Sequence, residues 1–261
     1  MKIGFIGAGN MGTALAKAAS ASAEIYVYDI DGEKAATLAK SVAGKLSAPH
    51  EMAKLCDYLF IAVKPNFVKE VLDNIKSTPK KEGLTLVSMA AGISLASLDE
   101  MTGGTLPIIR IMPNTPVSVG KGIVLTAGNA LVSKDELLSF KETMSAAGDV
   151  EIIDEALIDA GTALSGCSPA FVYMFIYALA EGAAEAGLSK DGALKFAAKT
   201  LIGAATLLLE SEKSPDELRD AVCSKGGSTI EGVKSLLSDG FPDVVKRAVL
   251  ASYKRTLELG K

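Results

Sequence analysis

The chain has 261 residues, 49% hydrophobic and 22% charged, a balance that fits a soluble protein with a substantial core and excludes disordered, collagen-like and coiled-coil classes. Lys+Arg 27 against Asp+Glu 31 leaves a net charge of −4, which argues against a nucleic-acid partner, because such binding is driven by basic residues that displace counterions from phosphates. Cys56, Cys167 and Cys223 lie far apart, so neither a disulfide framework nor a metal cluster is expected, and the compartment reads as the reducing cytoplasm.

Met1-Lys2 leads straight into Ile3-Gly4-Phe5-Ile6-Gly7, which reads as a strand over 2–7, with no export signal expected. An Ala-rich helix follows from Asn10 to about Ala21, then a strand over 24–29 rich in β-branched and aromatic residues. The alternation continues with a helix from about Glu33 to Val42, a short helix after Ser47-Ala48-Pro49, a strand over 58–63 and a helix after Pro65. Further strands are expected over 85–89, 106–112, 123–126 and 150–153, with helices near 94–101 and 133–147. Strands alternating with helices predict an α/β domain over 1–154, a doubly wound parallel sheet of the Rossmann type.

From Glu155 onward each long segment has a helical period, so 155–261 is expected to be an all-α domain with helices near 155–165, 169–186, 190–211, 215–222, 229–238 and 241–259. Ser214-Pro215-Asp216-Glu217 supplies an N-cap, a first-turn proline and two first-turn carboxylates. The apolar run 169–180 is short of the roughly 20 residues that cross a bilayer; it reads as a buried helix, and no membrane partner is expected. The apolar surface of 169–186 and 190–209 exceeds what one small bundle can hide, so a homodimer through these helices is the minimum expectation.

Gly7-Ala8-Gly9-Asn10-Met11-Gly12 is a G-x-G-x-x-G run placed after a strand and opening a helix. The first glycine permits the tight turn, the second lets a pyrophosphate approach the backbone, the third lets helix and strand pack closely, and the helix N-terminus supplies positive potential. Asp29 stands roughly 20 residues on, where a carboxylate accepts from the ribose hydroxyls of NADH and repels a 2′-phosphate. It tilts the cofactor toward NADH, although Lys34 nearby keeps NADPH open. Ligands of such sheets sit at the carboxyl ends of the strands. That places Val63-Lys64-Pro65-Asn66, Ala90-Ala91-Gly92 and Met112-Pro113-Asn114-Thr115-Pro116 near the cofactor, with Asn114 and Thr115 able to offer hydrogen bonds to a carboxamide or ribose. Arg110, in an otherwise apolar strand, reads as a partner in a sheet or interface ion pair.

Hydride transfer to a ketone needs a tuned proton donor, most often histidine. The single histidine, His50, opens a short helix and reads as a surface or capping residue, while Lys190, Lys195 and Lys199 read as a solvated helix face. A protonated C=N is already activated and needs little acid help, so an imine substrate fits. A second site candidate is Val222-Cys223-Ser224-Lys225-Gly226-Gly227-Ser228-Thr229, a glycine pair feeding a helix. Its free N–H groups with the hydroxyls of Ser224 and Thr229 make a carboxylate receptor, or else the segment is a plain turn capped by Ser228 or Thr229. Cys167 and Cys223 read as packing residues. Phe171, Tyr173, Phe175 and Tyr177 read as core or interface.

With these residues in view the chain resembles the pyrroline-5-carboxylate reductases of proline biosynthesis. The likeness spans Ile6 to Gly12, Val63-Lys64-Pro65, Ala91-Gly92, Arg110 to Pro116, Ser165-Gly166-Cys167-Ser168-Pro169-Ala170 and Gly226-Gly227-Ser228-Thr229. The resemblance implies reduction of L-1-pyrroline-5-carboxylate to L-proline with NADPH or NADH, an intertwined homodimer, and a decamer as the further assembly. It implies that Ser224 and Thr229, with the amides of Gly226, Gly227 and Ser228, hold the substrate carboxylate, the threonine lying near the ring nitrogen. It also implies that Lys64, Pro65 and Asn114 line the nicotinamide half. Lys225 departs from the family's usual proline, Tyr177 from a frequent glutamate, and Asp29 from the small polar residue that commonly admits a 2′-phosphate. Two other readings share the architecture: a reductase of open-chain substrates, and a non-catalytic dinucleotide sensor.

Overall fold

The computed structural model describes residues 1–259, which form two compact units: 1–167 joined by the end of the chain from Ser252, and 168–251. The first unit is built on eight strands: β1 (Lys2–Ile6), β2 (Glu24–Tyr28), β3 (Lys45–Leu46), β4 (Tyr58–Ile61), β5 (Thr85–Ser88), β6 (Ile108–Pro113), β7 (Gly122–Gly128) and β8 (Gly148–Ile152). Their order in the sheet is β3-β2-β1-β4-β5-β6-β7-β8. Helices α1 (Asn10–Ala19), α2 (Gly32–Ser41), α3 (Pro49–Leu55), α4 (Pro65–Lys76), α5 (Leu95–Thr102) and α6 (Lys134–Thr143) link them.

The central strands are apolar on both sides because helices cover both faces. In β4, Tyr58 and Phe60 point to one face and Leu59 and Ile61 to the other. Phe60 stacks on Phe5 of β1 with ring centroids 4.4 Å apart, and Phe140 of α6 closes over Phe60 at 6.1 Å. Each such ring contributes about 1.5–3 kcal/mol on burial. The sheet order reverses between β1 and β4, which opens a crevice beyond their carboxyl ends.

The expected parallel sheet holds for β1 to β6, but β7 pairs antiparallel with β6, and β8 follows β7. The cause is chain length. Eight residues separate Pro113 from Gly122, partly wound into a 3₁₀ turn at Thr115–Val119, whereas a parallel crossover takes about a dozen or more. The two-residue strand β3 was not expected; it is too short to carry an alternation pattern.

After β8 the chain passes through a short helix α7 (Ile158–Gly161) and a π-helical turn, Thr162–Gly166, in which Cys167 N–H donates to the Thr162 carbonyl at 3.2 Å. The second unit contains α8 (Ser168–Glu185), α9 (Lys190–Glu210), α10 (Pro215–Ala221), α11 (Ser228–Ser238) and the larger part of α12 (Phe241–Leu259). Small buried residues, Ala180, Ala193 and Ala197, bring α8 and α9 together, and Phe175 packs on Phe241 at 5.7 Å. The expectation that 169–180 is buried does not hold within the protomer: Ala180 is the one buried residue of α8. Because the helical stretch runs unbroken through the π turn, Glu155–Glu185 and Lys190–Glu210 are each long and apolar enough to cross a bilayer by composition. Tyr177 is exposed, its phenol pushed above its usual range by a hydrogen bond to Glu181 one turn away.

Candidate active site

The glycine turn sits at the β1/β4 crevice. Gly7 adopts φ +113°, and a Cβ there would stand 2.3 Å from the Ala62 carbonyl beyond β4. A Cβ on Gly12 would meet the Gly7 carbonyl at 2.5 Å, so α1 rides directly on the turn. Gly9 is the opposite case, with nothing within 4 Å of its missing Cβ. Gly9 is also the N-cap of α1 and makes no side-chain cap. The first amides of the helix lack carbonyl partners within it; Asn10 is exposed and Met11 half-buried, with the positive end of the helix dipole behind them, while Gly12 is buried. The residues present fit a dinucleotide, whose pyrophosphate such a turn and helix end can take.

Asp29 stands just beyond β2. Its Oδ2 accepts the Ala8 N–H at 2.6 Å and its Oδ1 the Asp31 N–H at 2.9 Å, so the carboxylate joins the glycine turn to the start of α2. Asp31 caps α2 by accepting from the Glu33 and Lys34 amides, and its other oxygen lies 3.2 Å from Lys34 Nζ. These bonds hold the Asp31 carboxyl below its usual range, led by the Lys34 amide. Lys34 thus has an acidic partner at the edge of the ribose region. Beside Asp29 is a cleft of about 210 Å³ lined by Tyr28, Ile30, Val63, Phe67, Val71 and Asn74. Its largely apolar walls suit a purine ring.

Val63 is half-buried, while Lys64 and Pro65 are exposed where α4 begins, Lys64 as an N-cap without a side-chain bond and Pro65 in the first turn. Ala91 is exposed and Gly92 takes φ +77° in the loop behind β5. Asn114 is buried behind β6: its Oδ1 accepts the Ile123 N–H at 2.9 Å, and its Nδ2 donates to the Ser165 carbonyl at 2.9 Å. One amide hydrogen remains for a ligand.

In the second unit Gly226 takes φ +74° and Gly227 donates its N–H to the Ser224 carbonyl at 3.0 Å. The N-cap of α11 is Gly227, with no side-chain cap, so neither Ser228 nor Thr229 closes the helix end. The amides that follow, at Ser228, Thr229 and Ile230, open onto solvent, flanked by the exposed hydroxyls of Ser224, Ser228 and Thr229. Lys225 is exposed on the same turn. The helix end is therefore not the side-chain-capped turn that Ser228 or Thr229 would make.

His50 is exposed, with Nε2 3.2 Å from Glu51 Oε1, and lies on α3. Lys190, Lys195 and Lys199 are exposed on α9. Sequence reasoning did not place Phe67 and Asn74 in the wall of the cleft beside Asp29, since their spacing on α4 carries no motif, nor did it find the bond from Asn114 to Ser165, 51 residues away.

Two family models match: one described as pyrroline-5-carboxylate reductase dimerisation over 155–259, the other as NADP oxidoreductase coenzyme F420-dependent over 2–92. Along its whole length the chain is 38% identical to the pyrroline-5-carboxylate reductase of Escherichia coli (strain K12), covering 98% of that protein. It is 38% identical to that of Pisum sativum, with 98% of this chain and 95% of the other covered. Among solved structures, the Plasmodium falciparum pyrroline carboxylate reductase with NADP bound superposes with a TM-score of 0.89 at 30% identity, over 100% of this chain and 98% of that one.

Proposed function

The chain belongs to the pyrroline-5-carboxylate reductase family, and from that premise we infer that it reduces L-1-pyrroline-5-carboxylate to L-proline. The bound dinucleotide, NADH or NADPH, supplies the hydride to the carbon of the C=N bond. A protonated imine keeps its proton on nitrogen as the amine forms, so this chemistry does not depend on a histidine. That suits a chain whose one histidine is exposed on α3.

The protein's own part is to bind and orient. Gly7, Gly9, Asn10, Met11 and Gly12 hold the pyrophosphate, Asp29 the adenosine ribose, and Val63, Lys64, Pro65, Ala91, Gly92 and Asn114 line the nicotinamide end. Ser224 and Thr229, with the amides of Gly226, Gly227 and Ser228, grip the substrate carboxylate. The observation that carries the assignment of the acid is the uncapped α11, which offers an anion N–H groups and a dipole without a formal charge. Asp29 and the pairing of Lys34 with Asp31 tilt preference toward NADH. The chain self-associates through its helical half as a homodimer, with a decamer as the larger assembly, and works in the cytoplasm without a membrane or nucleic-acid partner.

The test is NADH and NADPH oxidation followed by absorbance with pyrroline carboxylate supplied. Wild-type protein is expected to turn over with the larger kcat/KM for NADH. Thr229→Ala is expected to lower kcat/KM by about tenfold to a hundredfold, since a hydrogen bond to a charged group is worth about 1.5–3 kcal/mol. Unchanged kinetics in Thr229→Ala would remove that residue from the site.

A further inference from the structure

Strand β6 carries a guanidinium into the sheet. Arg110 is 4% exposed, its Nη1 donates to Glu155 Oε1 at 3.0 Å, and its Nη2 donates to Asp159 Oδ1 at 3.2 Å. Its Nε is buried with no partner. Glu155 Oε1 also accepts the Leu95 N–H at 2.7 Å, the amide that opens α5 directly behind the 90–94 loop. Four residues past Arg110, Asn114 donates to Ser165 in the π turn. The segment 155–166 is therefore a strap bonded to the first residue of α5, where the loop behind β5 ends, and to the loop behind β6.

Apolar side chains could fill such a place with equal stability, whereas an ion pair with two acceptors fixes one register of the strap. The π turn at Thr162–Gly166 points the same way, since such turns are frequent at functional sites. We propose that Arg110, Glu155 and Asp159, together with Asn114, are positioning residues for the nicotinamide end of the site. They clamp the 90–94 and 112–116 loops to one strap and so set where the ring stands. On this view Asn114 acts through the loop it holds more than as a ligand. The proposal rests on the hydride-transfer reading above.

The test uses full-length Glu155→Gln and Asp159→Asn variants and compares NADH with ADP-ribose, which lacks the nicotinamide. Because misplacing a reacting group by about 1 Å can cost up to a hundredfold, kcat is expected to fall by about tenfold and the isotope effect with 4-deuterated NADH to rise. The Kd for NADH is expected to weaken by at least about threefold while the Kd for ADP-ribose stays within about twofold, since the clamp acts on the nicotinamide loops alone. Unchanged kcat and isotope effect in folded variants would overturn the proposal, as would parallel weakening of NADH and ADP-ribose. If Glu155→Gln fails to fold, Asp159→Asn, at the more exposed end of the cluster, decides. Wild-type protein that binds both nucleotides but never oxidises NADH with pyrroline carboxylate would sink the reaction instead. The clamp would then stand or fall on the two binding constants.

Discussion

Three glycines in one turn serve different ends, and substitution separates them. Gly12 is filled by backbone, the Gly7 carbonyl lying 2.5 Å from where a Cβ would stand, so Gly12→Ala must push α1 off the turn. An overpacked core site costs about 1–3 kcal/mol, and thermal melting is expected to show it directly. Gly9→Ala meets nothing within 4 Å and is expected to melt like wild type. Its methyl group instead occupies the space of the pyrophosphate, so calorimetry should find NADH binding weakened by at least about tenfold with stability unchanged. A Gly9→Ala protein that binds NADH normally would move the phosphates elsewhere. These glycines were legible in the sequence because the motif encodes local backbone shape. What Asp29 holds was only half legible: its place past β2 follows from spacing, but its bond to the Ala8 amide, 21 residues back, depends on how β1 and β2 lie side by side.

Elements show the same division between local and distant causes. Strand and helix identities through the first unit follow from apolar period and from punctuation such as Pro65 and the Ser133 capping box. The direction of β7 was equally present in the short link behind Pro113, yet a strand's direction is a matter of pairing and no side-chain pattern states it. Nor does any local signal mark the tie at the amino-terminal ends of the central strands. There Asp57, just before β4, accepts the Lys2 N–H of β1 at 2.7 Å and pairs with Lys81 ahead of β5. Burial opposes the Asp57 charge, but the bonds from Lys81 and the Lys2 amide outweigh it and hold the carboxyl below its usual range. A folded-state pKa below the unfolded one means that the tie stabilises above the unfolded value, about 4, and is lost as pH falls through the folded value. Asp57→Asn is expected to cost about 1 kcal/mol at pH 7 by urea unfolding, the modest figure reflecting a partly solvated pair. The gap between variant and wild type should narrow as pH falls below about 4 and close once pH has passed the lowered folded value, where both side chains are neutral. A gap that persists into acid would assign the loss to packing.

At the scale of the whole molecule the two units treat apolar surface differently. The first hides it on both faces of a sheet; the second leaves it in the open, with Met174 72% and Leu209 86% exposed and about 11% of either long apolar stretch buried. Exposed apolar surface on that scale marks an interaction site, and the match of 155–259 to a dimerisation family supports a second copy as its cover. Composition shows the excess of apolar residues but not which face of α8 they share, because α8 is apolar nearly all round and the helical period expected of 169–186 singles out no one face. Met174→Lys on that helix tests the interface. In a two-fold dimer the substitution enters twice, and burying an unpaired ammonium costs more than the about 1.5–3 kcal/mol gained by a methionine. Sedimentation is expected to show the dimer dissociation constant raised by at least a factor of about 100, that is, by about 2.7 kcal/mol or more. Because a chain that gains stability from its partner melts higher when concentrated, the dependence of Tm on protein concentration should flatten as well. ADP-ribose, which the proposed site holds at the glycine turn and Asp29, should bind the variant as tightly as wild type. A Met174→Lys protein that sediments as the wild type does would place the contact on another face of the helical half.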